Sequence, residues 1–105
     1  MTESINSISY AELCRVEGIQ RETVVAIVEY GIVLPQTNTP QQEWLFETSS
    51  VYWIKKAVRL HSDLEIDWVA VAMVIDLLQQ KDALEKENQR MNRLLQRFIG
   101  ETEKN

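Results

Sequence analysis

The stretch "SYAELCRVEGIQRETVVAIVEYGIVLP", Ser9 to Pro35, decides the fold. Ser9 and Glu12 make an S-x-x-E capping box: the Ser9 side chain can accept from the backbone N–H near Glu12 while Glu12 reaches back, so a helix starts near Tyr10. Gly18 supplies its C-terminal stop. Tyr10, Leu13 and Cys14 fall on one face of that helix, and Val24, Ile27 and Val28 repeat the i, i+3, i+4 pattern in the next, which ends at Gly31. The connection is about three residues, as a helix-turn-helix requires. That arrangement is best known for placing its second helix in DNA, yet "RETVVAIVEY" carries Arg21 as its only cation and holds both Glu22 and Glu29.

Beyond Gly31 the run "IVLP" is short, apolar and β-branched, "QTNTPQQ" has turn composition, and "EWLFE" alternates like a strand. Together they predict a small β-hairpin, or wing, closing against the helix pair. Ser49 or Ser50 then caps a third helix, "VYWIKKAVRLHSDL", with apolar faces from Val51, Ile54, Val58 and Leu60 or Tyr52 and Ala57. Lys55, Lys56 and Arg59 fall on its solvated side and form the only basic cluster of the globular half.

Asp67 has the character of an N-cap for the last helix, which runs from Trp68 without Gly or Pro until Gly100. At ~1.5 Å per residue, roughly 32 residues extend about 48 Å. A compact unit of ~100 residues is only about 35 Å across. The helix is therefore expected to project. Leu77, Leu84, Met91 and Phe98 recur at heptad spacing, with Val74, Lys81, Asn88 and Leu95 three residues earlier in each heptad, so the two sets occupy d and a positions of a coiled coil. Polar Lys81 and Asn88 weaken the seam but can fix register. A helix lying along its own domain is the alternative; the excess length favours self-association. The expected organisation is a helix-turn-helix domain over residues 1–66 and a dimerisation helix over 67–105.

The totals limit the function classes. A chain of 105 residues, 45% apolar, can bury a core without disulfides or metal. One cysteine, Cys14, permits neither a disulfide framework nor a multi-cysteine metal site within the chain. Cys14 lies on the inner face of the first helix, where a thiol packs as a small hydrophobe. The N-terminus lacks a basic segment followed by an apolar one, and no window approaches the ~20 apolar residues of a membrane span, so a soluble cytoplasmic protein is expected. His61, the single histidine, has no Ser, Cys or carboxylate pair nearby to make a catalytic constellation, and reads as a surface residue near a helix end. The three glycines are scattered, which excludes a phosphate-cradling loop. Trp44, Trp53 and Trp68 read as core anchors in preference to an aromatic ligand cage. No catalytic residue, cofactor or metal is expected.

Charge is more informative. The chain carries a net −5, which opposes the sequence-independent attraction that dominates DNA binding. Residues 1–31 hold Arg15 and Arg21 against Glu3, Glu12, Glu17, Glu22 and Glu29, a net of −3 in the segment that should face phosphates. Glu22 and Glu29, about two turns apart, share a face, with Glu12 or Glu17 near it. That face is either ordinary solvated surface or a docking surface for a basic protein.

The order "YAELCRVEGIQRETVVAIVEYGIVLP", "WLFE", "AVRLHSDLEIDWVAVAMVIDLL" and "LEKENQRMNRLLQRFIG" resembles the bacterial chaperone-modulator family CbpM, itself related in architecture to MerR-type regulators. The likeness covers nearly the whole chain, and is most specific at Arg59 to Trp68 and Lys86 to Phe98. It implies a mainly α, dimeric, MerR-like winged helix-turn-helix with a small β-hairpin and a long C-terminal coiled-coil helix. It also implies binding to the J-domain of a CbpA- or DnaJ-like cochaperone, inhibiting both its stimulation of the chaperone DnaK and its association with DNA. An acidic surface suits a basic J-domain helix. Glu12, Glu22 and Glu29 are the first contact candidates, and Glu65 and Asp67 the second. MerR-type regulators usually carry an Arg-Thr-x-Arg-Tyr-Tyr-like second helix. Here "RETVVAIVEY" keeps Arg21, Thr23 and Tyr30 but places Val24, Val25 and Ala26 where polar and cationic readers would sit. A DNA-binding regulator using Arg21, Lys55, Lys56 and Arg59 is the alternative, disfavoured by these departures.

Overall fold

In the computed structural model, which describes residues 6–36 and 39–103, both halves of the capping box form. Glu12 N–H donates to Ser9 Oγ at 3.1 Å, and Ser9 N–H donates to Glu12 Oε1 at 3.2 Å. The helix they start, α1 (Tyr10–Glu17), closes on Gly18 at φ +68°. Gly18, Ile19 and Gln20 lead into α2 (Arg21–Glu29). At its far end Gly31 N–H donates to the Val28 carbonyl and Ile32 N–H to the Ile27 carbonyl, each at 3.0 Å. This is a Schellman closure, and it holds Gly31 at φ +72°. The helix pair is therefore fixed at three of its ends by the residues that predict it.

The strand "EWLFE" exists, but its partner is not "IVLP". β2 (Leu45–Glu47) pairs antiparallel with β1 (Ser7–Ser9), in the register Ser7 with Glu47, Ile8 with Phe46 and Ser9 with Leu45. Backbone bonds from Tyr10 N–H to the Trp44 carbonyl (3.0 Å) and from Thr48 N–H to the Asn6 carbonyl (2.9 Å) extend the pairing at both ends. Ile32 and Val33 turn inward and are buried. Pro35 has no N–H to offer a ladder, and Gln36 N–H reaches β2 at the Leu45 carbonyl, 2.7 Å away. The turn expected over 36–42 includes residues 37 and 38, which lie outside those described, as do residues 1–5 with Glu3; Gln41–Glu43 form one 3₁₀ turn.

The strand pairing also moves the start of the third helix. α3 runs Thr48–Leu64 with Glu47 at its N-cap, so Ser49 and Ser50 lie inside its first turn. The Asn6 carbonyl takes the Thr48 N–H that a serine cap would otherwise have to accompany. At the other end Glu65 adopts the left-handed conformation at φ +53°, and Asp67 caps α4 (Trp68–Glu103) by accepting the Ala70 N–H at 2.9 Å. α4 continues through Gly100, where a Cβ would meet nothing within 4 Å. An isolated exposed glycine weakens a helix by about 1 kcal/mol without ending it.

The chain divides into two compact units, Met1–Ile75 and Asp76–Asn105. In the first, Tyr10, Leu13, Val24, Ile27, Phe46, Ile54, Ala57, Val71 and Ile75 draw every helix and β2 into one core. Burying a side chain the size of Phe46, Leu13 or Ile27 contributes roughly 1.5–3 kcal/mol. The first two turns of α4 belong to this core through Val71 and Ile75. In the second unit the helix is exposed almost throughout.

His61 is not a surface residue. Half-buried on α3, its Nδ1 lies 2.8 Å from the Ile66 carbonyl and its ring stacks on Trp68, with centroids 3.9 Å apart and planes at 14°. A carbonyl only accepts, so Nδ1 carries the proton. The histidine is a structural tie across the α3–α4 bend. The tryptophans anchor separate places: Trp44 meets Tyr10 and Phe46 edge-on at 5.8 and 6.1 Å, while Trp53 meets Tyr52 at 4.9 Å.

Candidate partner-binding site

The same periodicity that buries Val24 and Ile27 turns Glu22 and Glu29 outward, since a helix with one face in the core must present its other residues to solvent. Both carboxylates are exposed, and neither joins an ion pair among the described residues. Glu12 is exposed on the first turn of α1, its carboxylate engaged with Ser9. Glu17 is different. Its Oε1 lies 3.3 Å from Lys55 Nζ, and the pair ties α1 to α3. That leaves Glu22 and Glu29 as the uncommitted acidic groups of the helix pair among the described residues, with Glu12 exposed beside them but serving the cap of α1.

Glu65 and Asp67 are exposed at the α3–α4 bend, a different part of the fold. Each has local work there, Glu65 in reversing the chain and Asp67 in capping α4. Among the described residues no hydrogen bond or ion pair joins them to the helix-pair carboxylates.

Val24 is fully buried, and Val25 and Ala26 are half-buried, so the apolar run in α2 serves packing and not an outward reading surface. Arg21 lines a groove of about 450 Å³ with Tyr10, Ala11, Cys14, Arg15 and Gln42. Lys55, Lys56 and Arg59 line a separate groove on α3. The cations of the DNA-binding alternative are thus divided between two grooves, and Lys55 is already paired. Burial pushes the Cys14 thiol above its usual range, with Arg21 opposing and Glu22 reinforcing the shift. A thiol so shifted is less ionised and less nucleophilic at neutral pH, as packing next to the core demands. Among the described residues no group of three or more His, Cys, Asp or Glu side chains could hold a metal ion.

In the second unit, Leu77 (63% exposed), Leu84 (70%), Met91 (51%), Leu95 (55%) and Phe98 (66%) all face solvent. Lys81 and Asn88, at the polar seam positions, are exposed too, whereas Val74, in the first unit, is half-buried. Lys81 Nζ donates to Glu85 Oε2 at 2.6 Å, and this bond raises the lysine's pKa. Leu94 and Ile99, beside the heptad positions, are also exposed. Their adjacency to Leu95 and Phe98 in "LLQRFI" is the sequence signal that widens the stripe at that end. Val69 and Met73, spaced i, i+4 in the first unit, are exposed in the same way, a pair that heptad counting passed over.

Residues 8–93 match the family model described as MerR HTH family regulatory protein. Three bacterial relatives, each named chaperone modulatory protein CbpM, are similar over most of both chains. The one from Pseudomonas putida is 41% identical over 83% of this chain and 85% of its own. The one from Pseudomonas entomophila is 38% identical over 82% and 84%, and that from Citrobacter koseri 34% over 84% and 86%. The chain belongs to the CbpM family. Its mainly α architecture with a two-stranded antiparallel sheet fits the MerR-like description. Membership of a family named for chaperone modulation supports a chaperone-modulating role. No helix among the described residues is long and apolar enough to cross a membrane.

Proposed function

We propose that the chain is a non-enzymatic cytoplasmic inhibitor that binds the J-domain of a CbpA- or DnaJ-like cochaperone, blocking its stimulation of DnaK and its DNA binding. One observation carries this reading: Glu22 and Glu29 stand exposed on the outer face of α2 and join no ion pair among the described residues, where a DNA-reading helix would carry cations. Such a face repels phosphates and attracts a basic helix, and complementary charge of this kind governs association rate and partner choice. Glu12 extends the surface onto α1; Glu65 and Asp67 form a second contact region. The role of residues 1–66 is docking, and that of 67–105 is dimerisation through Val74, Leu77, Lys81, Leu84, Asn88, Met91, Leu95 and Phe98. The exposed apolar members of this row, Leu77, Leu84, Met91, Leu95 and Phe98, support self-association, because apolar side chains repeated along one helix face mark an interaction surface. The functional test is ATP hydrolysis by DnaK stimulated by the J-protein: rising amounts of the chain should return the rate to the unstimulated level. An undiminished rate at saturating chain would reject the inhibitory role.

A further inference from the structure

The outer face of α3 combines features that neither the acidic docking surface nor the dimer row uses. Thr48, Val51, Tyr52, Lys55, Lys56 and Arg59 line an open groove of about 430 Å³. A second groove, about 190 Å³, continues it with Leu60, Asp63 and Leu64, and the two share Lys56 and Arg59. Their linings span the whole of α3. Lys56 Nζ lies 5.5 Å above the centre of the exposed Tyr52 ring, holding an aromatic and a cation side by side. Lys55 keeps half its side chain in solvent although it pairs with Glu17, and Arg59 is exposed without an ion pair among the described residues. Leu64, also exposed, ends the row. In a chain of net charge −5, this is a concentrated cationic and apolar strip on one helix.

We propose that this strip is a second docking surface, for an acidic amphipathic segment of a partner protein. Carboxylates of the segment meet Lys55, Lys56 and Arg59, and apolar side chains lie against Tyr52, Leu60 and Leu64. This is the helix-in-groove mode, in which apolar anchors and flanking charges share one face. Nucleic acid fits less well. Three cations, one already paired, release few counterions from a phosphate backbone, and the apolar half of the strip has no counterpart there.

The test is an NMR titration of the ¹⁵N-labelled full chain with a synthetic amphipathic peptide of about sixteen residues, matched to the helix at ~1.5 Å per residue, with glutamates along one edge and leucines beside them. The controls are a scrambled peptide of the same composition and a DNA duplex of about sixteen base pairs. Amide shifts centred on Thr48–Leu64 and saturating with the patterned peptide are expected. The scrambled peptide and the duplex should bind more weakly. Lys56→Glu with Arg59→Glu should weaken the peptide about tenfold, and Arg59→Gln alone a few-fold, with thermal unfolding unchanged. Shifts outside α3, equal binding of the scrambled peptide, tighter binding of the duplex, or unchanged affinity in both folded variants would overturn the proposal.

Discussion

At Gly31 one backbone angle does the work of ending a helix. The left-handed φ of +72° lets Gly31 and Ile32 close on Val28 and Ile27, and a side chain there would meet nothing within 4 Å. Gly31→Ala therefore isolates backbone strain from crowding. It should lower stability by about 1–2 kcal/mol, read by urea unfolding, with the helix content of the native baseline unchanged. Such positions were legible in the sequence because their physics is local: Ser9 with Glu12, Gly18, Gly31 and Asp67 each act within a few residues. His61 was not legible. Its partners are the Ile66 carbonyl, which no side-chain pattern encodes, and Trp68, which is reached only once α3 and α4 bend back.

Among elements, the helices follow from periodicity, and the sheet does not. "EWLFE" shows a strand but carries no information on what it pairs with, and the neighbouring "IVLP" competed with Ser7–Ser9 for the edge. The competition was settled by burial of Ile32 and Val33 and by the N–H that Pro35 lacks. The early start of α3 follows from the same pairing, through the bond from Thr48 N–H to the Asn6 carbonyl. His61 ties the bend between α3 and α4 through the Ile66 carbonyl and the Trp68 ring. His61→Phe keeps a ring against Trp68 but leaves the Ile66 carbonyl without its donor. The expected cost is about 1 kcal/mol, a fall of roughly 4–8 °C in Tm for a domain of this size, measured by circular dichroism. An unchanged Tm would mean that the stack alone holds the bend.

For the whole molecule, the candidate site was half legible. Counting charges picks out Glu22 and Glu29, which the fold leaves exposed and outside any ion pair among the described residues, but cannot see that Glu17 is held by Lys55, a contact between helices far apart in sequence. Heptad counting likewise found the row from Leu77 to Phe98 while missing Val69 and Met73. The proposed dimer is open to a direct challenge. Leu84→Lys with Met91→Lys should leave the globular unit folded and yield a monomer in sedimentation equilibrium; a mass that stays dimeric would rule out the heptad seam. The central claim, that the acidic outer face of α2 binds a basic J-domain, is tested by calorimetric titration of a J-domain into the chain and into its Glu22→Lys, Glu29→Lys double variant. Saturable binding to the native chain, weakened about tenfold or more in a double variant of unchanged Tm, is the expected result. Equal affinity for the two would contradict it.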